Sequence, residues 1–224
     1  MEAERKRLQA EQNRSERLLL NILPPSIAER LKQDRGIIAD SFAEVTVLFA
    51  DLVDFTQLTE QLPADRLVEL LNQTFSCFDR LAEHHGLEKI KTIGDAYMAV
   101  AGLPDPQPHH AQMAAEMALD MQAALANLSQ ETDHSLEIRI GIHTGPAIAG
   151  VIGLKKFAYD LWGDTVNTAS RMESQGVDGC IQVTESTYRS LKEDYCLEPR
   201  GQVAIKGKGE MTTYLLQGRK KRIN

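Results

Sequence analysis

A chain of 224 residues is long enough for one domain with a full core plus an appendage. Its apolar share of 42%, charged share of 25% and net charge of −7 are ordinary for a globular fold and point to no nucleic-acid partner. No apolar run nears the ~20 residues that cross a bilayer, and the N-terminus does not read as a signal peptide. The expected setting is the cytoplasm, with any membrane anchor outside this chain. Cys77, Cys180 and Cys196 are odd in number and share no metal-ligand spacing, which fits free thiols in a reducing compartment.

In chain order, residues 1–23 are polar, charged and free of Gly and Pro. Met1, Leu8, Ser15 and Ile22 fall seven apart, with Leu19 on the same side, so the spacing predicts a thin heptad stripe on a helix that pairs with its twin. Pro24-Pro25 ends it. Ser26 is placed to cap a short helix over 27–32, with Glu29 completing a capping box. Residues 45–52 are apolar on both faces apart from Thr46 and Asp51, which predicts a central strand. A carboxylate ending such a strand is costly unless paired or bound to a cation.

Residues 63–83 predict an amphipathic helix with Leu67, Leu70, Leu71, Phe75, Phe78 and Leu81 as its core stripe, and Cys77 as core filler. Two short strands over 89–93 and 96–100 flank Gly94-Asp95, a hairpin signal. A second helix over 109–128 carries Met113, Met117 and Met121 on one stripe; His109 and His110 open it without a third metal ligand nearby. From 136 to 143 the alternation predicts a strand with one wet face, formed by Glu137, Arg139, Gly141 and His143. His143 at its end reads as a structural hydrogen bonder before a site residue. A turn and short strand are expected over 145–153, then a strand over 181–183, a helix over 185–191 and a last strand over 211–216.

The strand–helix–hairpin–helix–strand order fits an α+β fold with a ferredoxin-like βαββαβ core. In that core the first and third strands are neighbours, so Asp51 and Asp95 can meet at one edge. Further on, Gly163 turns the chain into a helix that Asp164 can cap, with Val166, Ala169 and Met172 at helical spacing. Asn167 and Arg171, four apart, project from one face. An amide beside a planar guanidinium suits a phosphorylated sugar.

Four segments, in this order, resemble the class III nucleotidyl cyclase catalytic domain. They are Val45-Thr-Val-Leu-Phe-Ala-Asp-Leu-Val-Asp-Phe-Thr56, Lys89-Ile-Lys-Thr-Ile-Gly-Asp-Ala-Tyr-Met98, Phe157-Ala-Tyr-Asp-Leu-Trp-Gly-Asp-Thr-Val-Asn-Thr-Ala-Ser-Arg-Met172 and Ile205-Lys-Gly-Lys-Gly-Glu210. The resemblance divides the chain into a signalling helix and transducer segment (1–43), a catalytic domain (44–217) with a C-terminal β/α extension, and a basic tail (218–224). It implies the output end of a longer protein whose upstream sensor is absent from this chain.

The resemblance also implies an enzyme that cyclises a nucleoside triphosphate across a homodimer. Asp51 and Asp95 match the metal aspartates, which would hold two divalent cations, Mg²⁺ or Mn²⁺. Lys91 and Asp160 match the purine-reading pair. Lys donates and Asp accepts, which complements adenine and predicts ATP; without the resemblance the two read as a salt bridge. Asn167 and Arg171 match the catalytic pair, Lys206 the phosphate lysine, and Phe55 and Thr56 the substrate-facing turn, where backbone N–H groups over 53–56 would face phosphates. Asp54 stands where many members have Gly, and reads as a helix cap or a third acidic group. Pro146 stands where some members have Arg. The segment over 164–172 is also close to guanylate-cyclase members, so GTP stays a second reading and a non-catalytic dimerisation module a third.

Overall fold

A computed structural model describes residues 2–33, 36–132, 135–153 and 156–221. The elements are α1 (Glu2–Leu20), α2 (Pro25–Gln33), β1 (Ala39–Leu52), α3 (Phe55–Gln61), α4 (Ala64–His85), β2 (Glu88–Ile93), β3 (Ala96–Ala101), α5 (His110–Thr132), β4 (Ile138–Ile152), β5 (Ala158–Trp162), α6 (Asp164–Ser174), β6 (Ile181–Thr184), α7 (Glu185–Leu191), β7 (Tyr195–Ile205) and β8 (Gly209–Arg219). One sheet runs in the order β2-β3-β1-β4-β6-β8-β7, with β5 paired to β4. Its first four strands are the expected βαββαβ core, and β6 to β8 extend it. Met1 of the heptad and Arg222 of the tail lie outside the described residues.

The two apolar faces of the central strand come from simple alternation. Leu48, Ala50 and Leu52 enter one core with Leu70 and Phe78 of α4 and Met117 and Met121 of α5. Val45, Val47 and Phe49 point the other way, into a second core with Tyr159 and Leu161 of β5 and Ala169 of α6. That core also takes Leu23, Ile27 and Ala28 from the elbow between α1 and α2. An ion pair at 2.5 Å between Lys32 and Glu16 and another at 2.5 Å between Arg30 and Asp40 brace this elbow. The heptad residues Leu8 and Ile22 stay 63% and 64% exposed.

Several elements differ from the sequence expectation. Helix α2 starts at Pro25, not after Ser26, because Pro suits the first helical turn; Ser26 is therefore inside the helix. Glu29 does not close a capping box but accepts from Gln33 Nε2 at 2.8 Å. Strand β1 begins at Ala39, and β4 continues through Ile152 instead of turning at Gly145. Pro146 fits within β4 because it lies across from a β1 register shift between Phe42 and Val45. Strand β7 has no counterpart in the sequence expectation; as a sheet edge it tolerates the Pro and charge of Glu198, Pro199 and Arg200. Cys77 is only partly buried. The basic tail is partly docked, with Arg219 Nε donating to Glu116 Oε1 at 2.5 Å.

The expected wet face of β4 is covered by α6. Gly141 is the contact point: a Cβ there would lie 2.0 Å from the Glu173 backbone N and 2.5 Å from the Met172 carbonyl carbon. Gly141→Ala should therefore lower stability by about 1–3 kcal/mol, the usual range for overpacking; urea melts check it, and an unchanged midpoint would mean that α6 can lift away freely. His143, on the same strand, bonds through Nδ1 to Thr184 Oγ1 at 2.7 Å. Burial, with Lys208 adding, pushes its pKa down to about 4. It is a structural hydrogen bonder, as expected. His110 likewise serves structure, bonding through Nδ1 to Thr46 Oγ1 at 2.8 Å.

Glu88 opens β2 where burial pushes its carboxyl up to about 7, from an ordinary 4.5. The folded chain thus holds this proton more tightly than the unfolded chain. The stability it gives is complete below about 4.5 and is lost as pH rises through 7. Glu88→Gln should flatten that slope and raise stability at pH 8 by about 1–2 kcal/mol after allowance for solvent screening. Thermal melts at pH 5 and pH 8 read it, and equal gains at both would remove the titration as the cause.

Candidate active site

Three groups of site residues emerge from the fold. The first is acidic. Asp51 is the penultimate residue of β1, and its cross-strand partner on β3 is Ala96, next to Asp95 in the two-residue turn. Gly94 takes φ +63° at the first turn position, the conformation a tight primed hairpin needs. The two carboxylates are thus brought to one edge. Burial first, and the Asp95 charge next, hold the Asp51 carboxyl above its usual range. Arg139 Nη2 opposes this only loosely, donating to Asp51 Oδ2 at 3.4 Å.

Such a pair carries excess negative charge and offers hard oxygen donors, which fits Mg²⁺ or Mn²⁺. Among the described residues, no group of three or more His, Cys, Asp or Glu could hold an ion by itself. Phosphate oxygens and water would complete the coordination, as Mg²⁺ commonly requires.

Two residues missed by sequence reasoning sit beside this edge. Arg139 is the cross-strand neighbour of Asp51 on β4. It also pairs with Glu173 in the last turn of α6 at 3.5 Å and with Asp178 at 3.3 Å. Glu173 is 7% exposed; burial and the Asp51 charge push its carboxyl up to about 7. The available signals were Gly141, a mid-strand glycine that marks a close backbone approach, and the polar residue at each alternate position of β4.

The second group is a donor beside an acceptor. Lys91 on β2 donates from Nζ to Asp160 Oδ2 on β5 at 2.5 Å. Their side chains are 42% and 20% exposed. Asp160 is oriented a second time, accepting from the Leu161 backbone N at 2.8 Å.

The third group lies on and near α6. Gly163, not Asp164, is its N-cap; φ of +132° there suits glycine, and Asp164 is the first helical residue. Ala169 and Met172 are buried and Val166 partly so, leaving Asn167 and Arg171 together on the exposed face. Their side chains make no hydrogen bond or ion pair among the described residues. Lys206 is exposed in the β7–β8 turn, while Lys208 of the same turn is tied to Asp164.

Phe55 and Thr56 open α3, Phe55 packed on the first core and Thr56 exposed. Asp54 precedes them at φ +55° and makes no side-chain cap bond, so the capping expectation is corrected. A left-handed backbone explains why Asp serves where Gly is common, since Gly, Asn and Asp tolerate it best. The Val53 N–H donates to Glu137 O at 2.9 Å and is not free for a phosphate. Arg139 and Glu173 form an ionic link between the acidic edge and α6.

The fold is an α+β domain with an acidic sheet edge, a Lys91–Asp160 donor–acceptor pair and a helix face that exposes an amide beside a guanidinium. The model of the adenylate and guanylate cyclase catalytic domain matches residues 37–218. An adenylate cyclase of Mycobacterium tuberculosis is 51% identical over 215 residues, covering 95% of this chain and 48% of that protein. Guanylate cyclase soluble subunit beta-2 of Rattus norvegicus is 44% identical over 211 residues, covering 93% of this chain and 31% of that protein. The crystal structure of the guanylate cyclase domain of RhGC from Catenaria anguillulae, in complex with GTP, matches with a TM-score of 0.78 at 39% identity, covering 81% of this chain and 100% of that one. The chain belongs to the class III adenylate and guanylate cyclase catalytic domain family. It spans about half the length of the mycobacterial relative. No described helix is long and apolar enough to cross a membrane.

Proposed function

We propose that this chain is an adenylate cyclase domain that converts ATP to 3′,5′-cyclic AMP and pyrophosphate at the interface of a homodimer. The observation that carries the choice of base is the Lys91–Asp160 pair, an ammonium donor and a carboxylate acceptor held 2.5 Å apart. Adenine offers an N1 acceptor and an exocyclic amine donor, which such a pair complements; guanine reverses the pattern.

The reaction is attack of the ribose 3′-oxygen on the α-phosphorus, with pyrophosphate leaving in line. Asp51 and Asp95 would hold two divalent cations, which when bound lower the 3′-hydroxyl pKa and neutralise the leaving phosphates. Arg171 stabilises charge on the α-phosphate and Asn167 orients the ribose. Lys206 holds the outer phosphates, and Phe55 and Thr56 border them. Because Asn167 and Arg171 point outward from their own chain, they serve the acidic edge of a second copy. Exposed apolar residues nearby support such a partner: Ile148 and Trp162, cross-strand neighbours of β4 and β5, are 47% and 36% exposed. The stripe of α1 suits a parallel stalk that links the domain to an upstream sensor, with the cytoplasm as the setting.

The test is turnover of the purified dimer on ATP and on GTP with Mn²⁺. Cyclic AMP with little cyclic GMP is expected. A GTP preference would overturn the base reading, and no product from either would overturn the enzyme reading. In the same assay Lys91→Glu with Asp160→Cys should lower the ATP-over-GTP ratio of kcat/KM by about 100-fold or more, since each mismatched polar contact leaves a buried group unpaired. An unchanged ratio would place base selection elsewhere.

A further inference from the structure

On the reading above, each chain gives its carboxylates to one site and the outer face of α6 to the other. Within one chain these half-sites meet at Arg139. Its guanidinium reaches three carboxylates on three segments: Asp51 at 3.4 Å, Glu173 at 3.5 Å and Asp178 at 3.3 Å. All three are long beside the ~2.8 Å of a good charge-assisted bond. Its Nε is buried and has no hydrogen-bond partner. One cation is therefore shared among three anions and satisfied closely by none. Asp95 adds a fourth negative charge beside Asp51.

The link has little slack. At Gly141, two residues along from Arg139, the backbone of α6 lies against β4 at the Met172–Glu173 peptide. Glu173 is buried and stands two residues after Arg171 in the same helical turn. A change in how Arg139 divides itself thus acts on the turn that presents Arg171.

We propose that Arg139 is a positioning residue that couples cation loading at one active site to α6 of the other. A divalent cation taken up by Asp51 replaces the guanidinium there. Arg139 then closes on Glu173 and Asp178 and fixes the last turn of α6. Because coupling free energies are reciprocal, an α-phosphate engaged by Arg171 favours cation binding at the site across the dimer. The two sites load together. This rests on Asp51 and Asp95 being the cation ligands and on the dimer that Asn167 and Arg171 imply.

The experiment uses the whole chain with inorganic pyrophosphate, which offers phosphate oxygens to the cations but no α-phosphate to Arg171, at a concentration where sedimentation shows one oligomeric state throughout. Mn²⁺ binding is followed by electron paramagnetic resonance and amide exchange over residues 164–176 by mass spectrometry. In the unmodified chain, exchange at the end of α6 should slow about tenfold as Mn²⁺ binds, the effect of gaining one charge-assisted hydrogen bond. Arg139→Gln should still bind Mn²⁺ but lose the slowing, and Arg139→Lys should recover part of it. Glu173→Gln, which keeps the shape of the side chain, should lose the slowing too and serves if Arg139→Gln does not fold. Mn²⁺ binding with no change in α6, or equal slowing in Arg139→Gln, overturns the coupling alone. No Mn²⁺ binding, or binding that survives Asp51→Asn, overturns the cation reading and the coupling with it.

Discussion

Asp51→Asn should reduce turnover by about three orders of magnitude or more while leaving the fold intact, because on the proposed function it removes one of the two carboxylates that would hold the cations. The structure also predicts how stability responds. Asp51 is partly buried beside Asp95, and only Arg139, at 3.4 Å, offsets its charge. Asn keeps the shape and removes a charge that burial and a like neighbour both disfavour, so the melting temperature should hold or rise. A variant that is inactive and also unfolded would make Asp51 a structural residue. A stable variant with unchanged turnover would remove the acidic edge from the chemistry.

The second large effect is a recovery. Asp51→Ala and Arg171→Ala chains should each be dead as homodimers. Mixed in equal amounts they should regain about one quarter of the activity of the unmodified dimer: half of the dimers are mixed, and each mixed dimer has one complete site. The observation behind this is that Asn167 and Arg171 lie exposed on α6 with no side-chain partner among the described residues. An absence of recovery, with mixed dimers demonstrated by mass, would mean that Arg171 acts on its own chain's carboxylates. The amount recovered also bears on Arg139, since a mixed dimer has only one working site to load.

The sequence was most legible where periodicity and burial agree. The apolar run of β1, the Met stripe of α5 and the Gly-Asp turn before β3 could be read directly, and the ferredoxin-like core follows from their order. Four spaced motifs then carried the family. What failed to show has physical causes. Strand β7 is an edge, where Pro199 and charged residues are tolerated and the usual alternation disappears. The length of β4 was hidden by Pro146, which is accommodated only because β1 shifts register opposite it. The polar positions of β4 were read as wet, yet Gly141 is under α6 and Arg139 is held among three carboxylates. Local pattern could not reveal that covering, because it comes from a helix more than twenty residues later in the chain. Lys91 and Asp160 are a case in which both readings coexist. They form the salt bridge that bare chemistry suggests, and the same donor and acceptor are the pair proposed above to read a base.

The elbow between α1 and α2 has a practical consequence for anyone cutting this protein. The family match starts at residue 37, which makes that position a tempting place to begin a shorter fragment. Leu23, Ile27 and Ala28 lie upstream of it, each 2% exposed or less, and they roof the sheet face that holds Tyr159 and Leu161 on either side of Asp160. A fragment trimmed to the match would keep every residue proposed for chemistry and still bare the greasy underside of the strand that carries Asp160. Such a fragment should prove sticky and dull in its choice of nucleotide, and the cut belongs ahead of Leu19, where the stalk first touches the sheet.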